Sequence, residues 1–271
     1  MGSSRRPEIE PLKVYGLLSR QSRPLLDLRK FGVPPGGPLD HESAQLANAI
    51  VGNDPGSPVW ELLGSSELTV ARAGTLGIVG AAGIVRIGGR SEATNGSWEV
   101  AAGERVHVEA RSGFAVYLAL GTGRGRRLSD LPSSLSGGTF RLLPGPQAQL
   151  FDLAAFLSHE YRVSHARDRV GTRLEGPTLA HGFELTSEPA CVGTVQVTNA
   201  GAPVVLGPDG PTIGGYPKIG VVAEVDHDRL GQLAPGDPVR FEMVCLEEAR
   251  RLLAESRQSL DRRLRELSIQ P

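Results

Sequence analysis

From Val14 onward, short apolar or alternating runs recur with Gly, Pro or Asn between them: VYGLL, ELTVA, TLGIVG, IVRIGG, WEVAAG, ERVHVEA and FAVYLALG. Such runs, bounded by turn formers, predict β-strands. A second series begins at Phe140 and continues through YRVS, GTRL, HGFEL, VGTVQVT, APVVL, KIGVVAEV and PVRFEMV, with a short helix predicted near FDLAAFLSHE. One helix interrupts the first series. Asp40 stands where it caps HESAQLANAIV, Ala44, Ala47, Ile50 and Val51 fall on one face, and Gly52 closes the segment. The last predicted element is a helix over 246–271. There Leu246, Leu253, Leu260 and Leu267 recur every seven residues and Ala249 and Leu264 widen the stripe, the pattern of an amphipathic helix lying on apolar surface.

Residues 1–11 read as a polar, proline-bounded tail, expected to be disordered. The stretch GTGRGRRLSDLPSSLSGG (121–138) carries no apolar period and reads as a linker. It separates an N-terminal β domain over 12–138 from a C-terminal one over 139–245. AAGERVHVEA (101–110) and APGDPVRFEM (234–243) share small-x-Gly-acid-x-Val-basic-apolar-Glu. A turn feeding a strand, repeated at nearly half the chain length, favours tandem related domains, although turns of this kind are stereotyped.

Composition sharpens this into a mainly β (α+β) chain. The 35 Gly and 20 Pro show no collagen period, which fits many short strands and tight turns. The formal charge of −1 lacks the surplus that drives binding to nucleic acid or an acidic membrane. Two cysteines, Cys191 and Cys245, form no disulfide framework, and no apolar stretch approaches the roughly 20 residues of a spanning helix. A cytoplasmic protein is the expectation. The chain has no G-x-x-x-x-G-K-[ST], no G-x-S-x-G and no H-E-x-x-H, so it is expected to bind neither ATP nor a metal.

Four segments read together resemble a known family: GVPPGGPLDHESAQLANAIVGN (32–53) followed by WELLGSSEL (60–68), VGAAG (79–83), SHARDRVGTRLEGP (164–177) and GGYPKIGVVAEVDHDRLGQLAPGDPVRF (214–241). They are similar, in order and spacing, to the family of the 5-oxoprolinase C subunit, allophanate hydrolase subunit 2 and the urea-amidolyase carboxyltransferase domain. The resemblance implies two tandem cyclophilin-like β-barrel domains enclosing a cleft. It implies work inside an ATP-dependent complex with two further 5-oxoprolinase proteins, one of the B type, like allophanate hydrolase subunit 1, and one of the A type. It further implies ring opening of 5-oxoproline or a related cyclic amide, with biotin involved only if a partner supplies it. Family members also include a carboxyltransferase acting on urea and a regulator that antagonises a kinase inhibitor, so carboxyl transfer and regulatory binding stand as alternatives. The chain departs from the family at LSRQSRPLLDLRK (18–30), in the short 121–138 stretch, and at Thr212-Ile213, where Thr-Thr is usual.

Among individual residues Lys218 comes first. Only Lys13, Lys30 and Lys218 of the 29 basic residues are lysine. A compact ammonium placed between a Gly-Gly-Tyr-Pro turn and a strand suits polarisation of an amide or carboxylate oxygen, or base catalysis. An exposed lysine flanking a strand is the plainer alternative. Tyr216 is placed to donate its hydroxyl to the same ligand, beside Gly214 and Gly215. Asp168, Arg169 and Arg173 surround a glycine turn and form either a salt-bridged hairpin or a clamp for a carboxylate or phosphate. Gln196 alternates with Val195 and Val197, which puts its amide on the other strand face, either lining the cleft as a substrate-binding residue or simply facing outward. Asp40 and Asn48 are added as substrate-binding candidates, although capping accounts for Asp40 and a loop bond accounts for Asn48. Glu61, next to Trp60, requires a partner such as an arginine.

Overall fold

A computed structural model of the chain describes residues 8–92, 95–111, 113–123, 128, 137–183 and 185–269. Residues 1–7 of the expected tail, and 124–127 and 129–136 of the expected linker, lie outside the described residues. Contacts divide the chain into two compact units. The first comprises 1–23, 40–135 and 260–271, and the second 24–39 and 136–259.

The first unit holds β1 (Ile9–Gln21), α1 (His41–Ala49), β2 (Val59–Val70), β3 (Gly74–Gly80), β4 (Ala82–Ile87), β5 (Arg90–Glu92), β6 (Gly96–Val100), β7 (Arg105–Ala110) and β8 (Ala115–Gly121). Its eight-stranded sheet runs β5-β4-β7-β2-β8-β3-β6, with β1 paired along β2. The strand begins inside the stretch expected as tail. Ile9 pairs with Val70 and is fully buried in the sheet core, so apolar burial at one residue orders the segment. Asp40 caps α1, its Oδ1 accepting from Ser43 N at 2.9 Å and its Oδ2 from the Ser43 hydroxyl at 2.6 Å. The helix lies close to β3, where a Cβ on Gly77 would fall 2.8 Å from Ala47 O and Val51 Cγ1.

The second unit holds β9 (Gly138–Pro144), α2 (Leu153–Ser158), β10 (Tyr161–Val163), β11 (Gly171–Glu175), β12 (Glu188–Pro189), β13 (Thr194–Val197), β14 (Pro203–Leu206), β15 (Ile213–Gly214), β16 (Lys218–Val222), α3 (His227–Gln232) and β17 (Pro238–Met243). Seven of these strands close a barrel in the order β10-β11-β14-β13-β16-β9-β17, and β12 pairs with β15 outside it. The barrel interior takes Phe140, Tyr161, Val195, Val197, Val205, Ile219 and Phe241. Helix α4 (Leu246–Ile269) follows, with Ala249 buried, Leu252, Leu253, Leu260, Leu264 and Leu267 half-buried and Leu246 exposed. No described helix is long and apolar enough to cross a membrane.

Two expectations change. HGFEL forms no strand among its described residues, because His181 packs between Phe151 and Phe183 and its Nε2 meets Thr198 O at 3.0 Å instead of joining a ladder. The strand expected over KIGVVAEV stops at Val222. Asp226, buried, accepts from Arg141 N and from Arg141 Nη1, which turns the chain into a 3-10 segment and then α3.

The internal echo is repeated in its turns. Gly103 and Gly236 have φ of 81° and 89°. Glu104 N donates to Ala101 O and Asp237 N to Ala234 O, while Ala101 N and Ala234 N donate to the carboxylates of Glu104 and Asp237, each at 2.8 Å. Each turn is an acid-closed loop with glycine in the left-handed conformation that other residues resist.

Two stability predictions follow from this packing. Gly77→Ala is expected to cost about 1–3 kcal/mol through overpacking of α1 on β3, and Gly182→Ala, which meets nothing within 4 Å, less than about 0.5; urea titrations of the two variants check this. Tyr161 has a buried hydroxyl without a hydrogen-bond partner among the described residues, and burial raises its pKa from 10.0 to about 12. The unfolded chain therefore releases this proton first. Stability is expected to fall on the order of 2 kcal/mol between pH 10 and 12, with no contribution below pH 10. In Tyr161→Phe that component of the pH slope should vanish.

Candidate functional site

The site grows out of strand alternation. Val195 and Val197 point into the barrel, so Gln196 between them points out. Register places Arg173 opposite Val204, Val204 opposite Gln196, and Gln196 opposite Lys218, forming one row across the outer face of β11, β14, β13 and β16. Val195 pairs with Gly220 and Gln196 with Lys218, so Ile219 is an extra residue on β16. This bulge sends Ile219 into the core while Lys218 remains on the outer row.

The outer row is not open to water throughout. Lys218 is 3% exposed and Gln196 4%. Beside them β12 and β15 pair through Glu188 with Gly214 and Pro189 with Ile213. The Lys218 ammonium donates to Gly214 O at 3.2 Å, to Tyr216 O at 3.4 Å and to Glu188 Oε2 at 3.4 Å. All three are long for charge-assisted bonds, which centre near about 2.7–2.9 Å. Gln147 completes the group. Its Oε1 accepts from Lys218 N at 3.0 Å, and its Nε2 donates to Glu188 Oε2 at 3.0 Å. The Gln196 amide nitrogen is buried and has no hydrogen-bond partner among the described residues. A Cβ on Gly214 would lie 2.9 Å from that nitrogen, so glycine leaves the space in front of it open. The cluster is rich in donors and suits an oxygen carrying negative charge. No group of His, Cys, Asp and Glu among the described residues has the makings of a metal site.

The structure thus brings Lys218, Gln196 and Gly214 together, with Tyr216, a residue 42% exposed, contributing its carbonyl, while Gly215 between them faces Leu185 O. Arg173 ends the row, exposed. Arg169 does not join it. Its Nε and Nη2 meet Asp209, outside the turn, at 2.7 and 2.9 Å, and its Nη2 also donates to Gly37 O. Asp168 closes the same turn by accepting from Val170 N and Gly171 N. Asp40 and Asn48 lie in the first unit. Asp40 caps α1, while Asn48 donates to Ser57 O at 2.8 Å and its Oδ1 accepts from Asn53. Glu61 is fully buried there and accepts the Tyr117 hydroxyl at 2.7 Å. Burial, first, and then the neighbouring Glu61 and Asp40 carboxylates push the Tyr117 hydroxyl well above its usual range. Sequence reasoning missed Glu188 and Gln147. A buried lysine signals that some acid must compensate it, but not which one.

A family described as carboxyltransferase domain, subdomain A and B, matches residues 31–127 and 124–243. The chain is 31% identical over 267 residues to the C subunit of 5-oxoprolinase from Escherichia coli K12, covering 82% of this chain and 86% of that protein. It is 28% identical to urea amidolyase of Saccharomyces cerevisiae, over 89% of this chain but only 17% of the larger protein. The crystal structure of Kluyveromyces lactis urea carboxylase superposes with a TM-score of 0.82 at 25% identity, across 94% of this chain and 29% of that one.

Asp209→Ala should leave the Arg169 guanidinium buried with one of its acceptors removed. The expected loss of unfolding free energy is about 1–3 kcal/mol, measured by urea denaturation.

Proposed function

This chain belongs to the carboxyltransferase-domain family, and on that premise we propose that it is one component of an ATP-dependent complex that opens a cyclic amide, 5-oxoproline or a close relative. The single observation that carries this reading is the buried, loosely bonded Lys218 ammonium beside the Gln196 amide nitrogen, which has no partner among the described residues. When water adds to the carbonyl carbon of a lactam, negative charge develops on the carbonyl oxygen, and its collapse breaks the C–N bond as the ring nitrogen takes a proton. Fixed donors in a site shielded from water stabilise that charge more than they stabilise the neutral ground state. Lys218 Nζ, an ammonium with three N–H groups, is such a donor, and the neighbouring Gln196 Nε2 is assigned a second oxygen of the ligand. Tyr216, an exposed residue, is assigned donation of its hydroxyl proton to the ring nitrogen as it leaves. Gly214 and Gly215 supply the close approach.

ATP is assigned to another chain, since this one carries no phosphate-cradling glycine loop. The E. coli relative is by name one component of a larger 5-oxoprolinase, which supports partners of the A and B types. Carboxyl transfer to a urea-like acceptor is the second reading, supported by the likeness to urea carboxylase. It requires carboxybiotin on a partner, because the sequence has no Met-Lys-Met. In either reading Lys218 meets the oxygen on which charge develops.

Co-purified with its A-type and B-type partners, the chain is expected to support ATP-dependent turnover of 5-oxoproline. Lys218→Ala should lower kcat by about a hundredfold or more, and Lys218→Arg should not restore it, since a guanidinium fork does not fit the position of an ammonium. Turnover of urea with carboxybiotin in place of the lactam selects the second reading. Full activity in both variants removes Lys218 from the chemistry.

A further inference from the structure

Glu188 is the first residue of β12, a two-residue strand held to β15 by only two register pairs. Its side chain is 43% exposed, yet its Oε2 reaches the 3%-exposed Lys218 ammonium at 3.4 Å and the Gln147 amide at 3.0 Å. A carboxylate has lone pairs for about four donors, and Glu188 receives two here. The third donor of the site, Gln196 Nε2, is buried and without a partner among the described residues. Buried donors of this kind are rare in native structures and concentrate where a ligand completes them. Gly214 links the three groups. It pairs with Glu188, its carbonyl accepts from Lys218, and its missing side chain leaves space before the Gln196 amide.

Building on the reading of this cluster as a ligand site, we infer that Glu188 is a resident carboxylate on the Lys218 ammonium, and that the ligand enters by displacing it with a carboxylate of its own, the ammonium keeping a further N–H for the oxygen on which charge develops. The incoming group takes over the donors from Lys218 and Gln147 and adds the Gln196 N–H that Glu188 leaves unused. That extra bond favours exchange. The strand carrying Glu188 is short, so its withdrawal disrupts little pairing. The resident carboxylate compensates the buried ammonium while the site is empty, and it screens out neutral ligands, which cannot replace the charge they displace.

Binding to the isolated full-length chain tests this by titration calorimetry, with 5-oxoproline and its neutral carboxamide as probes. The wild type should bind the carboxylate and not the carboxamide. Glu188→Ala should tighten carboxylate binding by about tenfold, because the competitor no longer holds the site closed, and Glu188→Gln should give an intermediate gain. Gln196→Leu should weaken it by about tenfold. Equal binding of both probes, no binding of either to any variant, or unchanged or weaker carboxylate binding in folded Glu188→Ala or Glu188→Gln overturns the inference. If neither Glu188 variant folds, the wild-type probe comparison and Gln196→Leu decide it alone. Carboxylate binding in this pattern without lactam turnover by the complex retires the lactam reading and keeps the displacement site. Turnover without the pattern does the reverse.

Discussion

A lysine ammonium held almost out of contact with water is the constraint around which the second unit's outer face is built. Moving a charge out of water is costly unless oxygens replace its hydration, and Lys218 recovers them from three directions. Two are carbonyls of the Gly-Gly-Tyr-Pro turn, so satisfying the charge also fixes the turn. The third is the Glu188 carboxylate, which the Gln147 amide steadies from the side. The β12–β15 pair, the turn before β16 and the loop after β9 are therefore tied through one side chain. The long distances leave the ammonium ready to bond better to another oxygen.

That the charge sits outside the barrel follows from pleating. Closure of seven strands removes free edges and fills the interior with Val195, Val197, Val205 and aromatic rings. Any polar side chain alternating with those residues must face outward. A short added strand pair then shelters Lys218 and Gln196, while the Ile219 bulge lets the strand supply a core side chain and keep the lysine in the outer row. The first unit treats the same strand chemistry differently. Its eight strands remain a sheet, and α1 packs close enough to β3 that Gly77 cannot carry a side chain without displacing the helix. The two units nonetheless repeat one acid-closed turn with glycine in a left-handed conformation, at Gly103 and Gly236.

Much of this was legible along the chain. Asp40 as a cap, the end of the helix near Gly52, the strands of both series and the outward Gln196 all rest on spacing within about ten residues, where backbone propensity and turn chemistry act. The same local signals failed wherever a distant group overrode them. Ile9 falls in an expected tail because nothing nearby shows that Val70 pairs with it. HGFEL has the composition of a strand, but His181 finds two aromatic rings and a carbonyl instead of a ladder. For Arg169, the pairing with Asp209 lies forty residues on, beyond the reach of any local signal.

The sequence by itself determined most of the element types, the turn that repeats, the family resemblance and the singling out of Lys218 from a set of basic residues that is otherwise nearly all arginine. Only the tertiary structure decided that Lys218 is buried, that Gln196 stands beside it with an amide nitrogen unpartnered among the described residues, and that Glu188 and Gln147 complete the group. The physical reason is separation. The carboxylate that meets this charge lies 30 residues away at Glu188, and the backbone N–H of Lys218 reaches 71 residues to Gln147. Periodicity carries no information about which distant side chain a closed barrel will bring to a given row.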